Sequence, residues 1–497
     1  MTRTYSVNLP QKLFKAQQVR ENEPRVAADL SIEMFTLMEN AGQAMFDMVT
    51  KHSEQRCSMT VLCGYGNNGG DGYIVARLAK IAGWQVKLIQ LGDCNKITGD
   101  AATARTLWLE GGGKSYDIGE GIEPNTVVID ALLGTGLNGN VRGQFIEAIE
   151  LVNKTQNAFV CSVDIPSGLN ADTGQPMGCS IKADLTCTFV GLKQGMVTGL
   201  SGDYCGKLHF AGLGIDEAFE QAVSAVAQCS NASDIEKELP PRKRACHKGN
   251  NGHVLLIGGN KGLSGAIRMA AKACMRTGAG LVSVLTVEAN ESIVAADCAE
   301  VMVRGICGNS DINVFLAKAD VIVFGPGSGV NDWSKVLLQK VLAVNKPKII
   351  DADGLNLLAL DPVKLSQCII TPHPKEAARM LSCSVKDIQQ NRFESAAQLA
   401  KSWGAVALLK GFGTVINDGS STYVNTSGNP GMATAGMGDV LSGIIGGLLA
   451  QGLSLRRAAT LGALIHGAAG DAAAAEGERG MMATDLLPHI RALVNPF

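Results

Sequence analysis

The feature of this 497-residue chain that most constrains its fold is a regular alternation of short apolar, β-rich runs with helical patterns. Such an alternation is typical of parallel sheets that are covered by helices on both faces. In the first half the predicted strands are Met59–Cys63, Gln85–Leu91, Thr126–Ile129, Phe159–Val163 and Leu185–Phe189. In the second half they are His253–Ile257, Leu281–Leu285, Val321–Phe324, Lys348–Ile350, Cys368–Thr371 and Val406–Leu409. We therefore predict an α/β fold.

A polar segment separates the two series of predicted strands. Residues 229–247 are charged and contain Pro240–Pro241, and the preceding stretch, Asp216–Gln228, predicts a helix. A segment of this composition is typical of a domain boundary. We therefore predict two α/β domains, one over residues 1–225 and one over residues 235–497.

Composition and charge exclude several classes of function. Lys and Arg number 44 and Asp and Glu number 46, so the net charge of −2 creates no strong field that would attract nucleic acid or anionic lipid. The longest late apolar stretch, Val440–Leu455, is too short to cross a membrane. The 14 cysteines include no CxxC pair, and residues 1–39 lack the apolar core of a signal peptide. We expect a cytoplasmic protein that binds neither nucleic acid nor a membrane.

Glycine, with 59 residues, is over-represented, and glycine-rich loops follow two strands of the first half. Residues 64–72 follow Met59–Cys63 and fit the GxGxxG pattern of dinucleotide-binding turns. Asp93 lies at the spacing of a ribose-binding acid, so a dehydrogenase is one interpretation. The second loop, residues 134–139, follows Thr126–Ile129. Two loops after different strands favour a crevice that holds one large anionic ligand, although each could be only a tight turn.

Oxygen-bearing side chains accompany these loops at the predicted strand ends. Asp164 and Ser167 follow Phe159–Val163, and this carboxylate could move a proton or could simply cap a helix. Asn68, Asp130 and Ser167 offer only oxygen ligands, which suit a hard cation. Because this set contains a single carboxylate, we expect a monovalent ion rather than Mg²⁺.

These motifs of the first half resemble the NAD(P)HX epimerase family over approximately residues 10–215. The resemblance is carried by Leu9-Pro10 and by residues 16–20, 66–72, 130–136 and 164–168. Members of that family interconvert the R and S epimers of hydrated NADH or NADPH.

For the first half, the resemblance implies that Asp164 works at the reacting centre and that Asn68, Asp130 and Ser167 bind K⁺. We interpret Lys193 as a solvated surface lysine, although it could supply a positive charge near the site. The residues implied to bind the hydrated cofactor are Asn67, Asn68, Gly69, Gly70, Asp71, Gly134, Thr135, Gly136, Leu137, Asn138, Gly139, Asn140 and Asp164.

The strongest motif of the second half is a glycine-rich loop, residues 428–439, that precedes an apolar helix predicted from Val440. Backbone N–H groups in such a loop and the dipole of the helix attract a phosphate. Asp439 lies at the start of this helix and could take a proton from an attacking hydroxyl. The alternative is an acidic residue that only complements the helix dipole.

Four further segments end predicted strands of the second half, namely Gly325–Gly329, Asp351–Gly354, Thr371–Glu376 and Lys410–Thr414. With His247–Gly249, residues 253–259, Ser264–Ala266 and Asn429–Asp439, they resemble the ribokinase-like superfamily over roughly residues 235–495. Within it the match is to the ADP/ATP-dependent NAD(P)HX dehydratases. The resemblances together imply a Rossmann-like three-layer α/β/α domain followed by a ribokinase-like α/β domain.

For the second half, the resemblance implies that Asp439 is the catalytic base and that Mg²⁺ accompanies the nucleotide. The residues implied to bind the nucleotide are Lys410, Gly411, Phe412, Gly413, Thr414, Gly436 and Gly438. Those implied to contact the hydrated cofactor are Ala266, Gly327, Gly329, His373 and Asp439. The choice of ADP over ATP rests on family habit in fused chains, since no residue decides it.

The leading hypothesis is a bifunctional repair enzyme. It would epimerise hydrated NADH and NADPH and dehydrate the S epimer with ADP, giving AMP and phosphate. We also expect a homo-oligomer. Three alternatives remain at this point: a ribokinase-like vitamin or sugar kinase fused to a nucleotide-binding module, a first half that only senses a nucleotide or binds a partner, and a Rossmann dehydrogenase.

Overall fold

The computed structural model describes residues 9–53, 57–308 and 310–496. The first eight residues of the predicted first domain lie outside these ranges. They include part of residues 1–39, which we expect to lack a signal peptide. The chain forms two compact units, Met1–Gln228 and Cys229–Phe497. Among the described residues, every helix is too short or too polar to span a bilayer.

The first unit is built on a seven-stranded parallel sheet of order β4-β3-β2-β5-β6-β7-β9. A further strand, β1, pairs with β8 and β10. The strands are β1 Lys12–Phe14, β2 Ser58–Cys63, β3 Gln85–Gln90, β4 Ser115–Tyr116, β5 Val127–Ala131, β6 Phe159–Val163, β7 Leu185–Phe189, β8 Leu192–Lys193, β9 Lys207–Ala211 and β10 Ala227–Cys229. The helices are α1 Ala16–Asp29, α2 Met34–His52, α3 Asn67–Ile81, α4 Gly99–Glu110, α5 Gln144–Lys154, α6 Ser201–Tyr204 and α7 Asp216–Ala222.

Both faces of this sheet are buried, which explains why its strands are apolar at successive positions. In β2, Val61 packs in the core that contains α2 and α3, whereas Leu62 packs in the core that contains α5. The strand order reverses at β2, because β3 lies on one side of it and β5 on the other. A ligand crevice is expected at such a switch point, outside the carboxyl ends of the strands.

The second unit contains nine strands of order β13-β12-β11-β14-β15-β16-β17-β18-β19 among its described residues. The neighbours from β13 to β17 are parallel, and β17, β18 and β19 are antiparallel. The strands are β11 His253–Ile257, β12 Leu281–Val287, β13 Met302–Ile306, β14 Val321–Phe324, β15 Lys348–Ile350, β16 Cys368–Ile370, β17 Val406–Leu409, β18 Thr414–Asn417 and β19 Thr422–Asn425.

The helices of the second unit cover both faces of its sheet. They are α8 Ser233–Glu238, α9 Ser264–Thr277, α10 Glu291–Asp297, α11 Asn313–Lys318, α12 Asp332–Leu342, α13 Asp353–Leu360, α14 Pro374–Met380, α15 Val385–Gln390, α16 Arg392–Trp403, α17 Met437–Ala450, α18 Leu455–Ala473 and α19 Leu486–Leu493. Successive residues of β11 point to opposite faces. Leu256 therefore joins the core formed with α9, α17 and α18, and Leu255 joins the core formed with α12, α13 and α16.

The α/β fold class is confirmed, and every predicted strand is present with at most small shifts of its ends. The predicted helix Asp216–Gln228 is wrong in its second half. It ends at Ala222, because Ala227 and Gln228 pair with β1 instead. Helix α17 begins at Met437, earlier than the predicted Val440, and α3 begins at Asn67, within the motif of residues 64–72. Both glycine-rich motifs therefore run into the first turn of a helix.

Candidate active sites

In the first unit, the predicted cofactor-binding residues 67–71 form the first turn of α3 rather than a loop. The first N–H groups of a helix have no partner within it, so this turn offers donors to an anion. Gly64 makes this arrangement possible, because a Cβ there would lie 1.9 Å from the carbonyl oxygen of Leu132. The chain segments that follow β2 and β5 are therefore in close contact.

The second predicted segment, residues 134–140, is mostly exposed and lies beside that turn. A Cβ on Gly134 would lie 3.2 Å from Cβ of Asn68. A Cβ on Gly136 would lie 3.8 Å from a guanidinium nitrogen of the exposed Arg20, which extends from α1. The structure thus brings both predicted segments to one crevice and adds a positive charge that we did not assign from the sequence.

Asp164 occupies the end of β6 in a left-handed backbone conformation, with φ of 62°. A non-glycine residue in this region is strained, and such strain is concentrated at functional sites. Its Oδ1 accepts hydrogen bonds from Nζ of Lys193 at 2.5 Å, from the Thr188 hydroxyl at 3.1 Å and from the Phe189 N–H at 3.2 Å. Its side chain remains 17% exposed, so it can still reach a ligand.

The interpretation of Lys193 as a solvated surface residue is wrong. Its side chain is 1% exposed, and Nζ also donates to the Thr188 hydroxyl at 3.1 Å and to the Phe189 carbonyl at 3.0 Å. Lysine is seldom buried unless its charge is paired. Because β8 consists only of Leu192 and Lys193, the sequence carried no pattern that would reveal this burial.

Two further acids surround this ion pair. Burial raises the pKa of Glu23 on α1 to about 7, although Lys193 opposes the change. Burial also raises the pKa of Asp71 well above its usual value, and the charges of Asp164 and Glu23 add to that effect. Glu23 was not identified from the sequence, because it lies in a polar stretch of α1 without any motif.

The predicted cation ligands lie around the segment that follows β5. The fully buried Asp130 accepts hydrogen bonds from the Ser162 hydroxyl at 2.8 Å and from the Ser167 hydroxyl at 2.5 Å. Nδ2 of the buried Asn68 has no hydrogen-bond partner within the described part of the chain. Burial raises the pKa of Asp130, an effect that a nearby cation would counter. The possible cation ligands are the oxygen atoms of amide, carboxylate and hydroxyl groups, and this set fits a hard monovalent cation.

In the second unit, Asp439 lies in the first turn of α17, which begins after Gly436 in a left-handed conformation, with φ of 93°. Burial raises the pKa of Asp439 to about 7, and the charges of Asp351 and Asp353 add to this effect, whereas Lys410 opposes it. A carboxylate with a pKa near neutrality can exchange a proton readily. These surroundings favour the interpretation of Asp439 as a base over that of a residue that only complements the helix dipole.

Lys410 directly follows β17, and its side chain is connected to α17 through Asp351. Its Nζ donates to Oδ1 of Asp351 at 3.0 Å, and Oδ2 of Asp351 accepts from the Ser442 hydroxyl at 2.7 Å. A Cβ on Gly438 would lie 3.3 Å from that Nζ. The positive charge of Lys410 therefore lies at the N-terminal turn of α17, where the helix dipole also attracts an anion.

The predicted cofactor contact His373 caps α14. Its Nδ1 accepts from the N–H of Lys375 at 3.1 Å, and Oε2 of Glu376 accepts from the His373 N–H at 2.7 Å. Glu376 is buried with its carboxylate 3.9 Å from Nζ of Lys410, and burial raises its pKa to about 7. His373 and Lys410 are thus connected through one buried acid.

The loop after β14 lies against the start of α9. A Cβ on Gly327 would lie 3.0 Å from Cβ of Ala266, and the N–H of Gly329 donates to Asp353 at 2.8 Å. Residues 410–414 are held from below by the buried Arg392, which donates to the Lys410 carbonyl at 3.2 Å. Every predicted site segment of this unit therefore lies at the carboxyl edge of its sheet, as the positions of the strand ends predict.

Family models match both units. The model described as NAD(P)H-hydrate dehydratase matches residues 254–492, and the model described as YjeF-related protein N-terminus matches residues 35–195. The chain is 44% identical to the bifunctional NAD(P)H-hydrate repair enzyme of Coxiella burnetii, over 97% of this chain and 99% of that one. The chain belongs to the family of bifunctional NAD(P)H-hydrate repair enzymes. The resemblance found in the sequence is thereby confirmed.

Another member of the repair enzyme family, from Escherichia coli, is 43% identical over 99% of this chain and 95% of that one. Among solved structures, a ribokinase-like superfamily protein from Enterococcus faecalis is 31% identical and has a TM-score of 0.50. It covers 54% of this chain, and 95% of its own length is matched. This likeness confirms the predicted ribokinase-like fold.

Proposed function

We propose that this repair enzyme divides its two reactions between the two predicted domains. Residues 1–225 interconvert the R and S epimers of hydrated NADH and NADPH, and residues 235–497 dehydrate the S epimer with ADP. The observation that carries the proposal is the placement of Asp439. Its carboxylate has a pKa near 7 and lies in the first turn of α17, beside Lys410.

Dehydration requires the ring hydroxyl to become a better leaving group. Asp439 takes the proton of that hydroxyl while the hydroxyl oxygen attacks the terminal phosphorus of ADP. The bond from this phosphorus to AMP breaks, and AMP departs. The original bond between the ring carbon and the hydroxyl oxygen then breaks, phosphate leaves with help from the lone pair of the ring nitrogen, and loss of a ring proton restores NADH. Positioning and charge stabilisation supply most of the rate gain in phosphoryl transfer.

The surrounding residues then have distinct roles. The N–H groups of Gly436 and Gly438, with Lys410 and the following residues Gly411, Phe412, Gly413 and Thr414, hold the nucleotide. Ala266, Gly327, Gly329 and His373 contact the hydrated cofactor. The described residues include no cluster of three His, Cys, Asp or Glu side chains able to hold a metal. Mg²⁺ would therefore enter with the phosphates and neutralise their charge, as is usual for this ion.

Epimerisation in the first unit uses the pair of Asp164 and Lys193. The ring hydroxyl departs as water after gaining a proton, which leaves a positive charge on the ring, and water then adds to the opposite face and loses a proton. The Asp164 carboxylate stabilises that positive charge, and Lys193 holds the carboxylate in place through the 2.5 Å contact. Residues 67–71 and 134–140 hold the rest of the cofactor. Asn68, Asp130 and Ser167 would hold K⁺, which supplies positive charge to the crevice.

The two reactions complement each other. A chiral pocket at Asp439 accepts one epimer, so the other would accumulate unless an epimerase converted it. Several cysteines, among them Cys63, Cys187 and Cys274, are buried as thiols and not joined in disulfides, which supports the proposed cytoplasmic location. The expectations of a homo-oligomer and of no nucleic-acid or membrane partner stay predictions.

The experiment that tests the proposed function mixes the protein with hydrated NADH and ADP and follows the return of NADH absorbance. We expect both epimers to be consumed, with one AMP and one phosphate formed for each NADH. No recovery with either ADP or ATP would refute the dehydratase assignment. A stable phosphorylated product of another metabolite would instead support a vitamin or sugar kinase. Recovery of only half of an equal mixture of epimers would refute the epimerase assignment.

A further inference from the structure

One aromatic side chain of the first unit is partly exposed beside the crevice and has no role in the chemistry above. Tyr65, which is 43% exposed, lies between Gly64 at the end of β2 and Gly66 at the start of α3. Its ring meets that of Phe145, in the first turn of α5, edge to face, with centroids 6.3 Å apart. A half-exposed aromatic ring beside a ligand crevice can stack on a flat partner.

Buried neighbours fix the position of the Tyr65 ring. The buried Gln90 donates to the carbonyl oxygens of Gly64 at 3.3 Å and of Leu91 at 2.7 Å, and it accepts a hydrogen bond from the Tyr73 hydroxyl. Gly92 lies against Tyr65, because a Cβ there would be 2.6 Å from Cδ1 of the ring. The turn that carries Tyr65 is therefore ordered before a ligand arrives, which lowers the entropic cost of binding.

The strand order relates this ring to the reacting centre. Tyr65 lies between the ends of β2 and β3, and Asp164 follows β6 in the order β3-β2-β5-β6. Neighbouring strands are about 4.8 Å apart, so these two positions are separated by about 10–14 Å across the sheet edge. Between them lie the first turn of α3 and residues 134–140. The crevice thus presents an aromatic ring, then anion-binding groups, then a carboxylate.

We propose that Tyr65 stacks on the adenine base of the hydrated cofactor, which makes Tyr65 and Phe145 an adenine subsite of the first unit. The order of groups in the crevice matches the order of adenine, pyrophosphate and nicotinamide ring in a dinucleotide. The inference rests on the proposed epimerase activity. Stacking on an aromatic side chain suits adenine because its flat π-face needs no hydrogen-bond partner in the protein.

The test compares two substrates of epimerisation, hydrated NADH and hydrated reduced nicotinamide mononucleotide, which lacks the adenylate. We expect Tyr65→Ala to raise the KM for hydrated NADH by roughly 5- to 150-fold with little change in kcat. The KM for the mononucleotide should not change. Tyr65→Phe keeps the ring and should behave as the unaltered protein does. Tyr65→Leu keeps the bulk but loses the π-face, and it should resemble Tyr65→Ala.

A control for a general effect of removing exposed apolar surface is Ile81→Ala, at the other end of α3, where the side chain is 74% exposed. It should leave both KM values unchanged. An unchanged KM for hydrated NADH in Tyr65→Ala would overturn the adenine subsite, as would an equal rise for both substrates. If the unaltered protein exchanges the epimers of neither substrate, the epimerase assignment itself fails.

Discussion

Each unit of the molecule places its proposed catalytic carboxylate at the carboxyl edge of its parallel strands, but the two carboxylates are surrounded differently. Asp164 is held by the buried ammonium of Lys193, with further hydrogen bonds from Thr188 and Phe189. The carboxylate of Asp439 makes neither a hydrogen bond nor an ion pair within the described part of the chain. Burial and the neighbouring acids instead raise the pKa of Asp439 to about 7.

This difference fits the two proposed reactions. A carboxylate that is tied to a buried cation keeps a fixed position and can face a positive charge that forms and disappears on a ring. A carboxylate without a partner, with a pKa near neutrality, can accept a proton and release it again. Environments that differ in this way assign different roles to the same type of side chain. If the surroundings decide the roles, substitutions at the two carboxylates and their partners should affect different reactions.

The largest effect is expected from Asp439→Ala. Because the substitution removes the base, dehydration of the S epimer should slow by about 10²–10⁴-fold. The measurement is the return of NADH absorbance with ADP. Exchange between the R and S epimers, followed by chromatography in the same samples, should continue at the original rate. Loss of both activities would show that the two carboxylates do not serve separate reactions.

The converse substitution is Lys193→Met. It leaves the partly buried carboxylate of Asp164 without its cation, so we expect epimerisation at neutral pH to fall by about 10–100-fold and to recover as the pH rises. Epimer exchange measured across a range of pH gives the profile. Dehydration of purified S epimer should not change.

Lys193→Arg is the matched control, because it keeps the positive charge but changes its geometry. It should retain more activity than Lys193→Met and should keep the pH profile of the unaltered protein. If both variants lose the same activity with no change of profile, Lys193 serves only to maintain the fold. The contrast between a paired and an unpaired carboxylate would then have no bearing on catalysis.

The sequence predicted the strands and their glycine turns well, because both are local signals. Six predicted strands, including β6 and β11, agree with the structure at both ends. The start of α3 was harder to predict from the sequence, because Gly69 and Gly70 on their own disfavour a helix. They are tolerated there because other chain segments pack against them, with Gly64 and the Met38 side chain lying where a Cβ would be.

The ion pair of Asp164 and Lys193 could not be predicted from the sequence in this way. The two residues are 29 positions apart and meet through tertiary structure, in which β6 pairs with β7, the strand that precedes β8. The same limit applies to Asp351, whose contacts with Lys410 and Ser442 join residues 59 and 91 positions away. Motifs indicated which segments meet at the sheet edge, whereas the partners that tune each carboxylate depend on tertiary packing.

The pH dependence of dehydration tests the contrast between the two carboxylates at Asp439 instead of at Asp164. Asp439 must be ionised to act as a base and its pKa is about 7, so the rate should fall about tenfold for each unit of pH below that value. The measurement is kcat/KM for the S epimer as a function of pH. Glu376 has a raised pKa of about 7 as well, so Glu376→Gln is the control and should keep the same profile. A profile that stays flat through neutrality would contradict the assignment of Asp439 as base.

The smallest expected effect concerns stability. Because the folded state raises the pKa of Asp439 from 3.8 to about 7, wild-type stability should decline as the pH rises between these values. Asp439→Asn removes this titration, so above neutral pH it should unfold at a higher temperature, by roughly 2–4 °C for a gain of about 1 kcal/mol. The unfolding transition to follow is the one whose Tm rises when ADP is added.

Asp418 is the matched control. Despite its partial burial, hydrogen bonds from Ser421 and Ser420 lower its pKa, so Asp418→Asn should reduce stability above neutral pH. A lower Tm for Asp439→Asn under the same conditions would mean that the carboxylate is stabilised in the fold, as Asp164 is by Lys193, and the difference between the two sites would disappear.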